Sequence, residues 1–170
     1  NTVGLTLSFE EFVLAASTAD LSEEPAAREH ADAVEYRMDL AADGFDGLAA
    51  YDGELPLIVT DRVEYEGGES PDTSDRVDRL ARAVDVPAVE AVDIELAAVE
   101  QCQPVIEAAK ETNVSVIVSV HDFEQTPARA DLAETLDAAC EHGDIGKLAV
   151  TAQSRADVLD LLSVTHERTA

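Results

Sequence analysis

VSVIVSVHDFEQTP, residues 114–127, decides the fold of this 170-residue chain. It opens on a near-continuous run of β-branched apolar residues, the pattern of a strand buried on both faces, as in a parallel sheet. It then turns polar at His121 and Asp122 and closes on Thr126-Pro127. Thr before Pro reads as the N-cap and first position of a following helix. His121 therefore sits where a buried parallel strand runs out into its loop, the end at which α/β proteins bind ligands and do chemistry. An isolated histidine there could equally be a structural group bonded to a neighbouring carbonyl. What tells the two apart is how many other strands end the same way.

Working outward from that strand, the chain repeats its pattern six times. Residues 12–17 predict a first buried strand, with a helix near 24–33. Residues 34–40 predict a second, alternating strand, with Val34, Tyr36 and Met38 on one face and Glu35, Arg37 and Asp39 on the other. A short helix near 45–51 leads to strand 55–60 and a long loop carrying Glu66-Gly67-Gly68-Glu69. Helix 73–83 follows, with Arg76, Arg79 and Arg82 expected on a solvent face. Strand 88–94, helix 97–111, the opening strand with helix 128–141, strand 145–150 and helix 154–168 complete the series. Ser154 is the expected N-cap of the last helix, with Asp157 at the capping-box position. Residues 1–8 are an apolar-alternating lead-in.

Strict βα alternation implies a parallel sheet with right-handed crossovers. Two architectures fit, an open doubly wound sheet or a (β/α)8 TIM barrel of which six units are visible. An eight-unit barrel needs upwards of roughly 200 residues, so the barrel reading implies a C-terminally incomplete single domain over residues 1–170. No Gly-rich dinucleotide fingerprint or P-loop is present.

Composition narrows the function. Thirty-seven acidic residues against 11 basic ones give a formal charge of -26, spread over every amphipathic segment rather than gathered in a tail. A uniformly acidic, Ala-rich globular surface suits high salt, where screening removes self-repulsion. Nucleic acid is disfavoured, because no face gathers Lys and Arg. Cys102 and Cys140 are too few for a disulfide framework or a metal site. The absence of a signal-like or membrane-spanning apolar run leads us to expect a cytoplasmic protein. Lysine is nearly absent: only Lys110 and Lys147 occur, and Lys147 lies inside an apolar strand.

Polar residues recur where barrel strands should carry aliphatics. Glu35 and Arg37 share one face of the second strand, Arg62 ends the third, Asp93 the fourth and His121 the fifth, and Lys147 lies in the sixth. If they converge, they form a pocket of three cations, several carboxylates and one imidazole. A lysine buried beside Arg37 and Arg62 would be pushed toward its neutral amine by desolvation and like charge. A neutral amine attacks a ketone to form an imine, the imine acidifies the neighbouring carbon, and an imidazole can move the proton. The rim arginines and carboxylates suit a small, anionic, polyhydroxylated substrate.

Taken together, Glu35-Tyr36-Arg37-Met38-Asp39, Arg62 with Glu66-Gly67-Gly68-Glu69, Ser119-Val120-His121-Asp122-Phe123 with Thr126-Pro127, and Gly146-Lys147-Leu148-Ala149-Val150 resemble type I 3-dehydroquinate dehydratase. The resemblance implies a (β/α)8 barrel, usually a homodimer, that dehydrates 3-dehydroquinate without cofactor or metal. It implies Lys147 as the imine-forming residue and His121 as general base and acid, oriented by Glu66. It implies Glu35, Arg37 and Arg62 as holders of substrate hydroxyls, and Asp93 as a supporting polar group. The family's last two strands, which bring an arginine and a Ser/Gln loop to the substrate carboxylate, have no match here. A class I aldolase acting on a sugar phosphate, and a non-catalytic acidic α/β binding domain, are the competing readings.

Overall fold

A computed structural model of the chain describes residues 7–169. Six strands, β1 (Ala15–Thr18), β2 (Ala33–Arg37), β3 (Leu57–Thr60), β4 (Val89–Glu95), β5 (Ser115–Asp122) and β6 (Ile145–Val150), form one sheet. Every neighbouring pair is parallel, in the order β1-β2-β3-β4-β5-β6. A doubly wound sheet reverses its strand order at a switch point, so this unbroken order excludes it and leaves the curled sheet of a barrel. The helices between the strands are α1 (Glu24–Ala27), α2 (Gly44–Ala49), α3 (Ser74–Ala83), α4 (Gln103–Thr112), α5 (Arg129–His142) and α6 (Arg155–Arg168).

Period two along the strands sorts the side chains into two cores. Val34, Tyr36, Leu57, Val59, Val92, Ile94, Val116 and Val118 point outward and pack against the helices in the larger one. The inward row Ala33, Ile58, Ala91 and Ile117 forms a smaller plug with Leu7, Phe9, Val13 and Ile145. That plug closes the end of the curled sheet where the strands begin, so the polar inward residues are confined to the other end.

Element boundaries depart from the sequence reading in instructive places. β1 starts at Ala15 and is only partly buried, because among the described residues it is an edge strand paired on one side. Phe12, expected inside that strand, is 86% exposed. α1 is four residues long, ending at Ala27, and Ala33, expected inside it, is the first residue of β2. Thr126-Pro127 does not cap α5: the helix starts at Arg129 after Ala128, and the Thr126 hydroxyl instead donates to the Thr151 carbonyl at 2.9 Å, tying the β5 loop to the end of β6. Ser154 and Asp157 do form a reciprocal capping box on α6. Most of the 1–8 lead-in lies outside the described residues.

The helices carry much of the acidic load on their exposed faces, as at Glu107, Glu111, Asp131 and Glu134. Each is repelled by its neighbours over a screening length of roughly 3 Å at 1 M salt and about 10 Å at 0.1 M. We therefore expect the melting temperature to fall on dialysis from molar to 0.1 M salt. A melting temperature that holds or rises would reject the high-salt reading of the surface.

Candidate active site

Where the inward row turns polar, adjacent strands bring their side chains together. The register pairs Thr60 with Asp93, Glu95 with Ser119, and Ser119 with Lys147. Lys147 Nζ lies 3.0 Å from Asp93 Oδ2 and 3.8 Å from Glu35 Oε1. The Thr60 hydroxyl donates to Glu35 Oε1 at 2.9 Å. Ser119 Oγ donates to Asp93 Oδ1 at 2.6 Å, and Arg62 Nη2 reaches the same oxygen at 2.9 Å. Burial alone would raise the Asp93 pKa, but Arg62 and Lys147 reverse the effect and hold it below the usual carboxylate range. Burial likewise weakens the hold of Arg62 on its proton, and Asp93 and Glu95 more than offset it, so its pKa is raised.

The surroundings of Lys147 differ from the expectation of a buried amine flanked by cations. Its side chain is 37% exposed, and its ion-pair partners are carboxylates. The two arginines are engaged elsewhere. Arg37 forms a two-point pair with Asp39, at 2.8 and 2.7 Å. Arg62 is 3% exposed and spans Glu95, Ser119 and Asp93 beneath the site. Asp39, two residues after Arg37, and the pair Asp93 and Glu95 on β4 give each guanidinium its own carboxylates.

His121 stands one inward step beyond Ser119 on β5. Glu66 Oε2 accepts its ring Nδ1–H at 2.9 Å and its backbone N–H at 3.1 Å. With Nδ1 as donor to a carboxylate, Nε2 is left with the lone pair that a base needs. Phe123 stacks on the imidazole with centroids 6.1 Å apart and planes 12° apart. The Glu66-Gly67-Gly68 run explains how the loop after β3 delivers its carboxylate. Gly67 has φ +81°, in the left-handed region, and a Cβ there would lie 2.5 Å from the Phe123 ring. A Cβ on Gly68 would lie 2.0 Å from the Arg62 carbonyl oxygen. Only glycine lets the loop fold back tightly enough.

The structure thus gathers Lys147, Asp93, Glu35 and Arg62 into one network and Glu66 and His121 into a second, while Arg37 turns to Asp39. Three groups were not singled out as site residues from the sequence: Glu95, Ser119 and Arg76. Glu95 follows Asp93 by two positions and Ser119 precedes His121 by two, so strand periodicity put both on the inward face. Arg76, expected on a solvent face with Arg79 and Arg82, is 0% exposed. Its spacing to Leu80 and Ala83, four and seven residues on, is that of the buried face of α3, and Glu95 pairs with it there.

The family model for type I 3-dehydroquinase matches residues 13–170. The chain belongs to that family. A 3-dehydroquinate dehydratase from Halobacterium salinarum is 48% identical over 169 residues, a match covering 96% of this chain and 75% of that one. One from Haloarcula marismortui is 50% identical, covering 96% and 74%. Among solved structures, the 3-dehydroquinate dehydratase from Geobacillus kaustophilus superposes with a TM-score of 0.79 at 30% identity, over 93% of this chain and 69% of that one. An archaeal fructose-1,6-bisphosphate aldolase superposes with a TM-score of 0.57 at 18% identity, which extends the likeness to a second enzyme type in fold alone. In this dehydroquinase the two polar networks lie at the same end of the sheet. Two of its relatives come from halophiles by name, in keeping with the acidic surface.

Proposed function

We propose that this enzyme dehydrates 3-dehydroquinate to 3-dehydroshikimate, with Lys147 as the imine-forming residue and His121 as the proton carrier. The observation that carries the reading is the lone strand lysine held by Asp93 and Glu35 one strand from a carboxylate-oriented histidine. The Lys147 amine adds to the substrate ketone and the carbinolamine loses water, leaving a protonated imine. That cation withdraws electrons from the adjacent carbon, whose proton passes to His121 Nε2. The resulting enamine expels the β-hydroxyl, which takes the proton back from the imidazolium and leaves as water. Hydrolysis of the conjugated imine releases product and restores the amine. Glu66 stabilises the imidazolium through Nδ1, and Glu35, Arg37 and Arg62 hold substrate hydroxyls or the groups that do.

The six units are, in this reading, the larger part of an eight-unit barrel. β1 and β6 each pair on one side only among the described residues, and bare strand edges call for partners. The enzyme is further read as a cytoplasmic homodimer, a compartment that suits the free thiols of Cys102 and Cys140. Among the described residues no helix is long and apolar enough to cross a membrane.

Borohydride reduction in the presence of 3-dehydroquinate tests the central step. We expect the reduced ligand mass on the peptide containing Lys147. Mass on Lys110, or none on an enzyme that turns over, would reject the assignment.

A further inference from the structure

Two buried carboxylates on β4 compete for one arginine. Asp93 and Glu95 are 1% and 0% exposed, and Arg62 touches both. Lys147 also reaches Asp93, whereas Glu95 has within the barrel only its share of Arg62, and a buried carboxylate so under-compensated is strongly disfavoured. The second cation comes from outside the barrel. Arg76 on α3 reaches through to Glu95 Oε2 at 3.1 Å, while Arg62 holds Oε1 at 2.9 Å. The same Arg76 nitrogen donates to the Asp61 carbonyl at 2.9 Å, and its other terminal nitrogen lies 3.5 Å from Asp72 Oδ1. Arg76 Nε has no partner. Of its side-chain partners, Glu95 is the buried carboxylate, and Asp72 is part-exposed.

The geometry points to Arg76 as a positioning residue for the reacting lysine, acting through the chain Arg76–Glu95–Arg62–Asp93–Lys147. This rests on Lys147 as the imine-former. Each link uses separate atoms: Glu95 divides its two oxygens between two arginines, Arg62 divides its two terminal nitrogens between Glu95 and Asp93, and Asp93 divides its oxygens between Arg62 and Lys147. With Arg76 in place, three cations (Arg76, Arg62, Lys147) face three carboxylates of the strands (Glu95, Asp93, Glu35), and the part-exposed Asp72 touches Arg76 from the far side. Without it, Glu95 draws Arg62 toward itself and Asp93 turns its charge more fully on Lys147. The ammonium is then held more tightly and the attacking amine is scarcer. Glu35 from β2 adds to that hold, and the His121–Glu66 pair, one step further along β5, contributes no compensating cation while the imidazole is neutral.

The test is a double-mutant cycle on the enzyme with Arg76→Met and Glu95→Gln. Arg76→Met is expected to lower kcat about tenfold, with a smaller change in KM, and to move the acid limb of the kcat profile to higher pH. Adding Glu95→Gln removes the charge that Arg76 served, so the double variant should turn over faster than Arg76→Met alone. A purely structural role predicts the opposite, with the two losses adding and the pH profile unmoved, and that result would overturn the proposal. If Arg76→Met fails to fold, Arg76→Lys and Arg76→Gln decide instead. Faster turnover and a less displaced pH profile in the Lys variant support the role, and equal behaviour overturns it. Borohydride labelling of the parent enzyme separates the two levels of inference. An unlabelled parent would overturn the lysine assignment and this proposal together, whereas a labelled parent with an unaltered Arg76→Met profile would overturn this proposal alone.

Discussion

Lys147→Met is expected to reduce the dehydration of 3-dehydroquinate by about 10⁴–10⁶-fold, the scale of losing the nucleophile of a covalent mechanism. Methionine keeps the length and apolar character of the stem while removing the amine. The fold should survive, because Asp93 keeps Arg62 and the Ser119 hydroxyl on Oδ1 when the lysine leaves Oδ2. Following the conjugated enone product by its ultraviolet absorbance gives the rate, and circular dichroism confirms the fold. The variant should also take up no ligand mass on borohydride treatment. A folded variant retaining more than about one hundredth of the parental kcat would exclude the imine as the route.

His121→Ala should behave differently, and the difference is the informative part. Turnover is expected to drop by about 10²–10⁴-fold, the usual worth of a positioned acid or base. Imine formation should persist, because Lys147 is placed by Asp93 and Glu35 and makes no contact with the imidazole that fixes it. Glu66 also stays where it is, since its carboxylate continues to accept the backbone N–H of residue 121. The combination of slow turnover with a retained borohydride label on Lys147 is therefore the signature sought. Turnover within a fewfold of the parent would remove His121 from the mechanism. Slow turnover with no label would assign it to imine formation rather than to proton transfer.

Much of this was legible in the residues. Strict βα alternation gave parallel strands, period two within the second strand put Glu35 and Arg37 on one face, and Asp93 and His121 read as strand-end residues. The retained Lys147 in a lysine-poor chain singled out the lysine proposed here to react, whereas the tight fold at Gly67 and Gly68 came only with the structure. The legible features are local. Each depends on spacing along one strand, which the sequence carries directly. The N-cap at Thr126 was misread because its hydroxyl found a partner on another strand, a contact that spacing along the chain does not encode.

Strand polarity and the row of polar residues at the strand ends were thus determined by the sequence itself, which also supplied the lysine and histidine proposed as reacting groups. Tertiary structure alone decided how the charges are shared. Arg37 and Arg62 were expected to crowd Lys147; in the fold each is claimed by carboxylates, and Arg76, which reads as a surface residue, is the buried cation that completes the balance. Which oxygen a guanidinium meets depends on how far α3 lies from β4 and how the loop after β3 bends, to within a few tenths of an ångström. Coulomb energies in a poorly screened interior vary steeply over that range, whereas hydrophobic patterning does not.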